Sequence, residues 1–116
     1  MNTSPNTVLE LTEALDKLWA HFLPEMRNRV AALEEAAAAC AGHTLTTAQF
    51  REAHSAAHKL AGTLGSFGLA RGTDLARELE ALYARDKAPD TAQGERLTSL
   101  AAELKSIIDS RRSSPD

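Results

Sequence analysis

Apolar residues recur in this chain at spacings of three and four, in four stretches divided by short polar segments. That periodicity is the tightest constraint on the fold, because only a helix turns such spacing into one continuous face. The first stretch carries Val8, Leu11, Leu15, Leu18, Phe22, Met26, Val30, Leu33, Ala37 and Cys40, and the second Phe50, Ala53, Ala57, Leu60, Leu64 and Phe67. Leu75, Leu79 and Leu82 mark a third helix over about 70–85, and Leu97, Leu100, Leu104, Ile107 and Ile108 a fourth. Four stripes with short connections predict an all-α, antiparallel up-down-up-down four-helix bundle.

Local signals place the ends. Pro24 lacks a backbone donor and clashes with the preceding turn, so a break is expected near Phe22–Leu23. The piece before it, about 7–22, then becomes an additional N-terminal helix covering one end of the bundle. "AGHTL" at 41–45 supplies a glycine stop and a loop. Thr46 with Gln49, and Asp90 with Gln93, have the spacing of capping boxes for the second and fourth helices. Gly68 is placed to end the second helix, and "RDKAPD" to form the turn before the fourth. The expected organisation is one bundle over 1–112 with a disordered polar tail at 113–116.

Composition narrows the function classes. The chain has 116 residues, enough for one domain with a real core, and its few aromatic residues disfavour a sheet. A net charge of −3 argues against a general nucleic-acid or anionic-membrane binder. Cys40 is the single cysteine and cannot form an internal disulfide; a small buried filler is expected there. No secretory signal and no bilayer-length apolar run are present, so a cytoplasmic protein is the expectation.

The second helix raises a chemical question. Its stretch "AHKLAGTLGSFG" sets His58 among several glycines, although each glycine in a helix interior costs about 0.5–1 kcal/mol relative to alanine. On a helical wheel His58 lies roughly 130° from the centre of the apolar stripe, so it faces away from the core. Arg51, His54, Gly62 and Gly65 share its face, with Ser55 and Ala61 at the margins. Two readings follow for the glycines: an open strip that lets a macromolecule reach the imidazole, or close packing against a neighbouring helix. The angle from the core favours access.

An exposed imidazole can act as a general base, a metal ligand or a nucleophile. No nucleophilic Ser or Cys has a convincing partner, and there is no oxyanion-hole turn. His54 and His58 stand at i, i+4, a spacing that can hold a metal, but "HSAAH" lacks the glutamate of H-E-x-x-H and no third ligand is apparent on this helix. No metal site is therefore assigned. As a nucleophile toward phosphorus, the imidazole would need partners to load and unload it, because the chain has no P-loop, nucleotide lid or acidic metal pocket.

These residues resemble a family. "AHKLAGTLGSFGL" is similar to the signature of histidine-containing phosphotransfer (HPt) domains of two-component phosphorelays, matching at His58, Leu60, Gly62, Thr63, Gly65, Ser66, Phe67 and Gly68. The likeness in helical layout extends from about Trp19 to Ile108. The resemblance implies a phosphoryl carrier, not an enzyme. His58 would accept a phosphoryl group on Nε2 from a receiver-domain aspartate or a histidine kinase and pass it to or from a receiver. Gly62 would leave room for the docking receiver, with His54, Lys59, Ala61, Gly65 and Arg51 as further partner-binding residues. The chain would need no cofactor of its own; Mg²⁺ would reside in the partner receiver. A monomer is expected, with neither nucleic acid nor membrane as partner.

One departure stands out. Many members of that family carry a lysine three residues after the histidine, where this chain has Ala61, and a lysine stands at Lys59 instead. Arg51, Lys59 and Arg71 are the candidates for compensating positive charge. Trp19 and Phe67 are expected to pack, Ser66 and Thr63 to hold helix-end hydrogen bonds, and His21 and His43 to serve surface or capping roles. The alternative to phosphotransfer is a helical adaptor or dimerisation bundle that never carries phosphate.

Overall fold

The computed structural model describes residues 5–84 and 89–111, all of the regular structure being helical: α1 (Pro5–Ala41), α2 (Thr47–Ser66), α3 (Ala70–Tyr83) and α4 (Thr91–Ser110). Each helix packs on two neighbours in the ring α1–α2–α3–α4–α1. Cross-helix pairs show the directions. His58 meets Glu80 and Gly65 faces Thr73, so α3 runs opposite to α2. Arg71 reaches Glu103 while Arg96 reaches Glu78, reversing α4 against α3. Arg111 meets Asp16 and Cys40 meets Asp90, reversing α4 against α1. Part of the expected turn (residues 85–88) and the expected tail lie outside the described residues.

The core is the meeting line of the four stripes. Met26, Leu33, Leu60, Leu64, Leu75, Leu79, Leu97, Leu104 and Ile108 are all buried there. Burying one such side chain contributes about 1.5–3 kcal/mol. At one end Trp19 packs edge-on against Phe67 at 5.1 Å, and the Arg111 guanidinium lies 4.8 Å over the Trp19 ring. At the other end the buried Cys40 thiol donates to the carbonyl of Asp90 at 3.2 Å, and burial pushes its pKa up. That keeps it a thiol, consistent with an inert packing role.

The local stops follow from side-chain chemistry. Both capping boxes form: Thr46 accepts from the Gln49 amide, Asp90 from the Gln93 amide, and each glutamine returns the bond. Gly68 takes φ +71°, and Leu69 and Gly68 donate back to the carbonyls of Leu64 and Gly65. This is the Schellman arrangement that only a left-handed residue allows. At the end of α1 the left-handed residue is His43 (φ 58°) rather than the expected glycine. Thr91 Oγ1 lies 3.0 Å from its ring.

The first helix corrects two expectations. Pro24 does not break it, so there is no additional N-terminal helix: α1 runs 37 residues through the proline. Trp19 and Met26 bury on either side of the kink-prone turn, whereas Pro24 and Ala20 face solvent, where water can satisfy the orphaned carbonyl. Of the expected N-terminal piece only the last turns reach the bundle end, where Trp19 packs on Phe67 and Asp16 meets Arg111. A 37-residue helix is about 55 Å long, and the molecule's long axis is 56 Å. Its first turns therefore project past the shorter helices, leaving Val8, Leu11, Leu15 and Leu18 exposed. Among the described residues no helix is long and apolar enough to cross a membrane.

Candidate functional site

His58 stands mid-way along α2 with its side chain 71 % exposed. Its Nδ1 lies 2.8 Å from Oε2 of Glu80 on α3, itself 27 % exposed. An ionised carboxylate can only accept, so the ring proton of a neutral imidazole is held at Nδ1 and the lone pair is left on Nε2. His54, one turn earlier and half-buried, brings its Nε2 to 3.9 Å from the same Glu80 oxygen. Among the described residues no group of three or more His, Cys, Asp or Glu is arranged to hold a metal ion.

The glycines separate into two kinds. A Cβ built on Gly62 would meet nothing within 4 Å, and one on Gly65 would come no closer than 3.8 Å to Thr73. Neither is forced by helix packing. Gly72 and Gly94 are more closely packed: added Cβ atoms there would lie 3.1 Å from the Leu64 side-chain tip at Cδ1 and 3.2 Å from the α1 backbone at Ala41 Cα. Of the two readings open at Gly62, the geometry supports access to the imidazole.

Two grooves flank His58. One, between α2 and α3, is lined by Ala61, Gly62, Arg77 and Glu80; the other, between α1 and α2, by Phe22, Arg29, Lys59, Gly62 and Ser66. The imidazole therefore forms a ridge between two open hollows that share bare backbone at Gly62. Thr63 and Ser66 spend their hydroxyls on the carbonyls of Lys59 and Gly62 within the helix, a structural use.

The remaining sequence-derived candidates scatter. Lys59 is exposed and borders the α1–α2 groove; Arg51 is exposed and lines neither groove. Ala61 is only 7 % exposed and sits in the α2–α3 seam, offering a partner almost no surface. Arg71 is turned away from His58 and makes a two-pronged contact with Glu103 at 2.7 and 3.1 Å. That bond holds the Glu103 carboxyl below its usual range. Two groups were not singled out from sequence, Glu80 and Arg77. Both lie on the flank of α3 that meets α2, and only the register of the two helices reveals them.

Comparison with known proteins agrees with the geometry. The Hpt domain model matches residues 17–113. Protein RcaC of Microchaete diplosiphon is 36 % identical over 66 residues, 57 % of this chain, although the chain spans only 10 % of that protein's length. No solved structure matches. With the family model covering most of its length and the exposed histidine in a four-helix frame, the chain belongs to the Hpt domain family, the phosphotransfer modules of two-component signalling.

Proposed function

We propose that His58 is the phosphoryl acceptor of a relay, taking the group from a receiver-domain aspartate or a histidine kinase and returning it to or from a receiver. The observation that carries this reading is the exposed imidazole, bonded at Nδ1 to Glu80 and bordered by the open backbone of Gly62. In the transfer, the Nε2 lone pair attacks phosphorus in line. The N–P bond forms as the P–O bond of the aspartyl phosphate breaks, and its electron pair leaves on the aspartate carboxylate. The ring then carries a positive charge with its proton at Nδ1, directly against the Glu80 carboxylate, so the charge that develops is met where it develops.

His58 and Glu80 supply nucleophile and tautomer control; positioning of the donor falls to the docked partner, whose receiver would hold Mg²⁺. On this reading the domain is a carrier acting as a monomer, with the exposed Lys59, Gly62, Gly65 and Arg51 and the half-buried His54 forming the surface around the acceptor. Incubation with phosphoramidate or phosphorylated receivers, read by intact mass and acid lability, tests the reading. One acid-labile phosphoryl group is expected on the wild type and none on His58→Gln. A folded wild type that takes none from any donor would favour the adaptor alternative.

A further inference from the structure

A phosphoryl group on His58 would bring negative charge into a site whose imidazole already touches the Glu80 carboxylate at 2.8 Å. Such a group carries on the order of two negative charges at neutral pH and three acceptor oxygens. It needs a cation, and the described residues narrow the choice. Arg71 is bonded to Glu103, Arg96 to Glu78, and Arg29 to Glu25 at 2.8 Å. Arg51 borders neither groove beside His58, and Lys59 borders the groove on the side away from Glu80.

Arg77 differs from all of these. It is exposed, forms no ion pair among the described residues, and lines the same groove as His58, Gly62 and Glu80. The helix register sets its height. His58 pairs with Glu80, and Gly65, two turns on, faces Thr73, two turns back. The intermediate step puts Arg77 level with Ala61, one turn along from His58 and beside the space that Gly62 leaves empty. Ala61 has no side chain long enough to compete for that space, and a guanidinium offers a planar fork that matches phosphoryl oxygens.

We propose that Arg77 forms an oxyanion seat across the α2–α3 groove, holding the phosphoryl oxygens once the group is on His58 Nε2. The inference rests on the proposed chemistry of His58. Arg77 makes and breaks no covalent bond; it contacts the transferred group and favours its bound state.

The test uses phosphoramidate as donor, so that no docking protein is involved, and reads the half-life of the acid-labile phosphoryl group after donor removal. Arg77→Gln is expected to shorten that half-life by about threefold to tenfold, with Arg77→Lys restoring most of it, as loss and partial rescue of a charge-assisted contact. Arg71→Gln, on the opposite flank of α3, is expected to leave it unchanged, and thermal melts check that each variant folds. An unchanged half-life in Arg77→Gln, or a loss seen in Lys59→Gln instead, would overturn the seat while leaving His58 as the acceptor. Failure of the wild type to take phosphate at all would overturn both.

Discussion

The two faces of α2 are built from the same helix and to opposite ends. On the inner face Ala53, Ala57, Leu60 and Leu64 are each 0 % exposed and carry the core. On the outer face stand His54, His58, Gly62 and Gly65, with open space where Gly62 lacks a side chain. The inner face is tuned for contact, the outer for vacancy. Stability and chemistry are therefore separable in this helix by a rotation of roughly 130°.

The contrast can be broken from the inside. Leu60→Ala should cost about 2–5 kcal/mol, the usual range for a large-to-small change in a packed core. Chemical denaturation would measure it; a loss under about 1 kcal/mol would mean that the inner face is not the core described. The glycines sharpen the contrast further. Gly94→Ala should destabilise by about 1–3 kcal/mol, because its Cβ would press on the α1 backbone. Gly62→Ala should instead stabilise by about 0.5–1 kcal/mol, the ordinary gain of alanine in a helix. If both destabilise alike, Gly62 is a packing glycine after all.

Function should respond at Gly62 to size rather than to stability. Gly62→Leu is expected to slow transfer from a phosphorylated receiver while leaving uptake from phosphoramidate near the wild-type rate. Equal slowing with both donors would show that Gly62 acts on the imidazole itself and not on docking. The smallest effect is expected on the far side of α3. Glu103 has a lowered pKa because Arg71 bonds it, so its contribution is present above the unfolded carboxylate range and is lost as pH falls through the folded value. Arg71→Gln should thus lower the melting temperature slightly near neutral pH, and the difference should vanish in acid. The pair is exposed, and a gap that persisted or widened in acid would contradict this assignment.

What could be read from sequence was what local chemistry decides. The two capping boxes and the Gly68 stop each depend on residues within one turn, and each forms as its spacing requires. His58 and its bare neighbours share one helix, so a wheel was enough to place them on its outer face. Misreadings arose where tertiary packing overrides a local rule. Pro24 disfavours a helix locally, yet burial of Trp19 and Met26 on both sides carries α1 through it. Glu80 and Arg77 were out of reach for a related reason. Arg71 and Arg77 lie about 120° apart on one short helix, and nothing local says which flank of α3 meets α2. Of the three cations considered from sequence, Arg71 proved to face α4, Arg51 to line neither groove beside His58, and Lys59 to border the groove away from Glu80.

The central claim is that His58 presents Nε2 as the nucleophile with its proton held at Nδ1. Long-range ¹H–¹⁵N correlation spectra of the histidine side chains, before and after phosphoramidate treatment, test it most directly. The account predicts that the neutral form of the His58 ring holds its proton at Nδ1, with phosphorylation shifting that ring alone and placing phosphorus on Nε2. A phosphoryl group on Nδ1, or on His54, would contradict it.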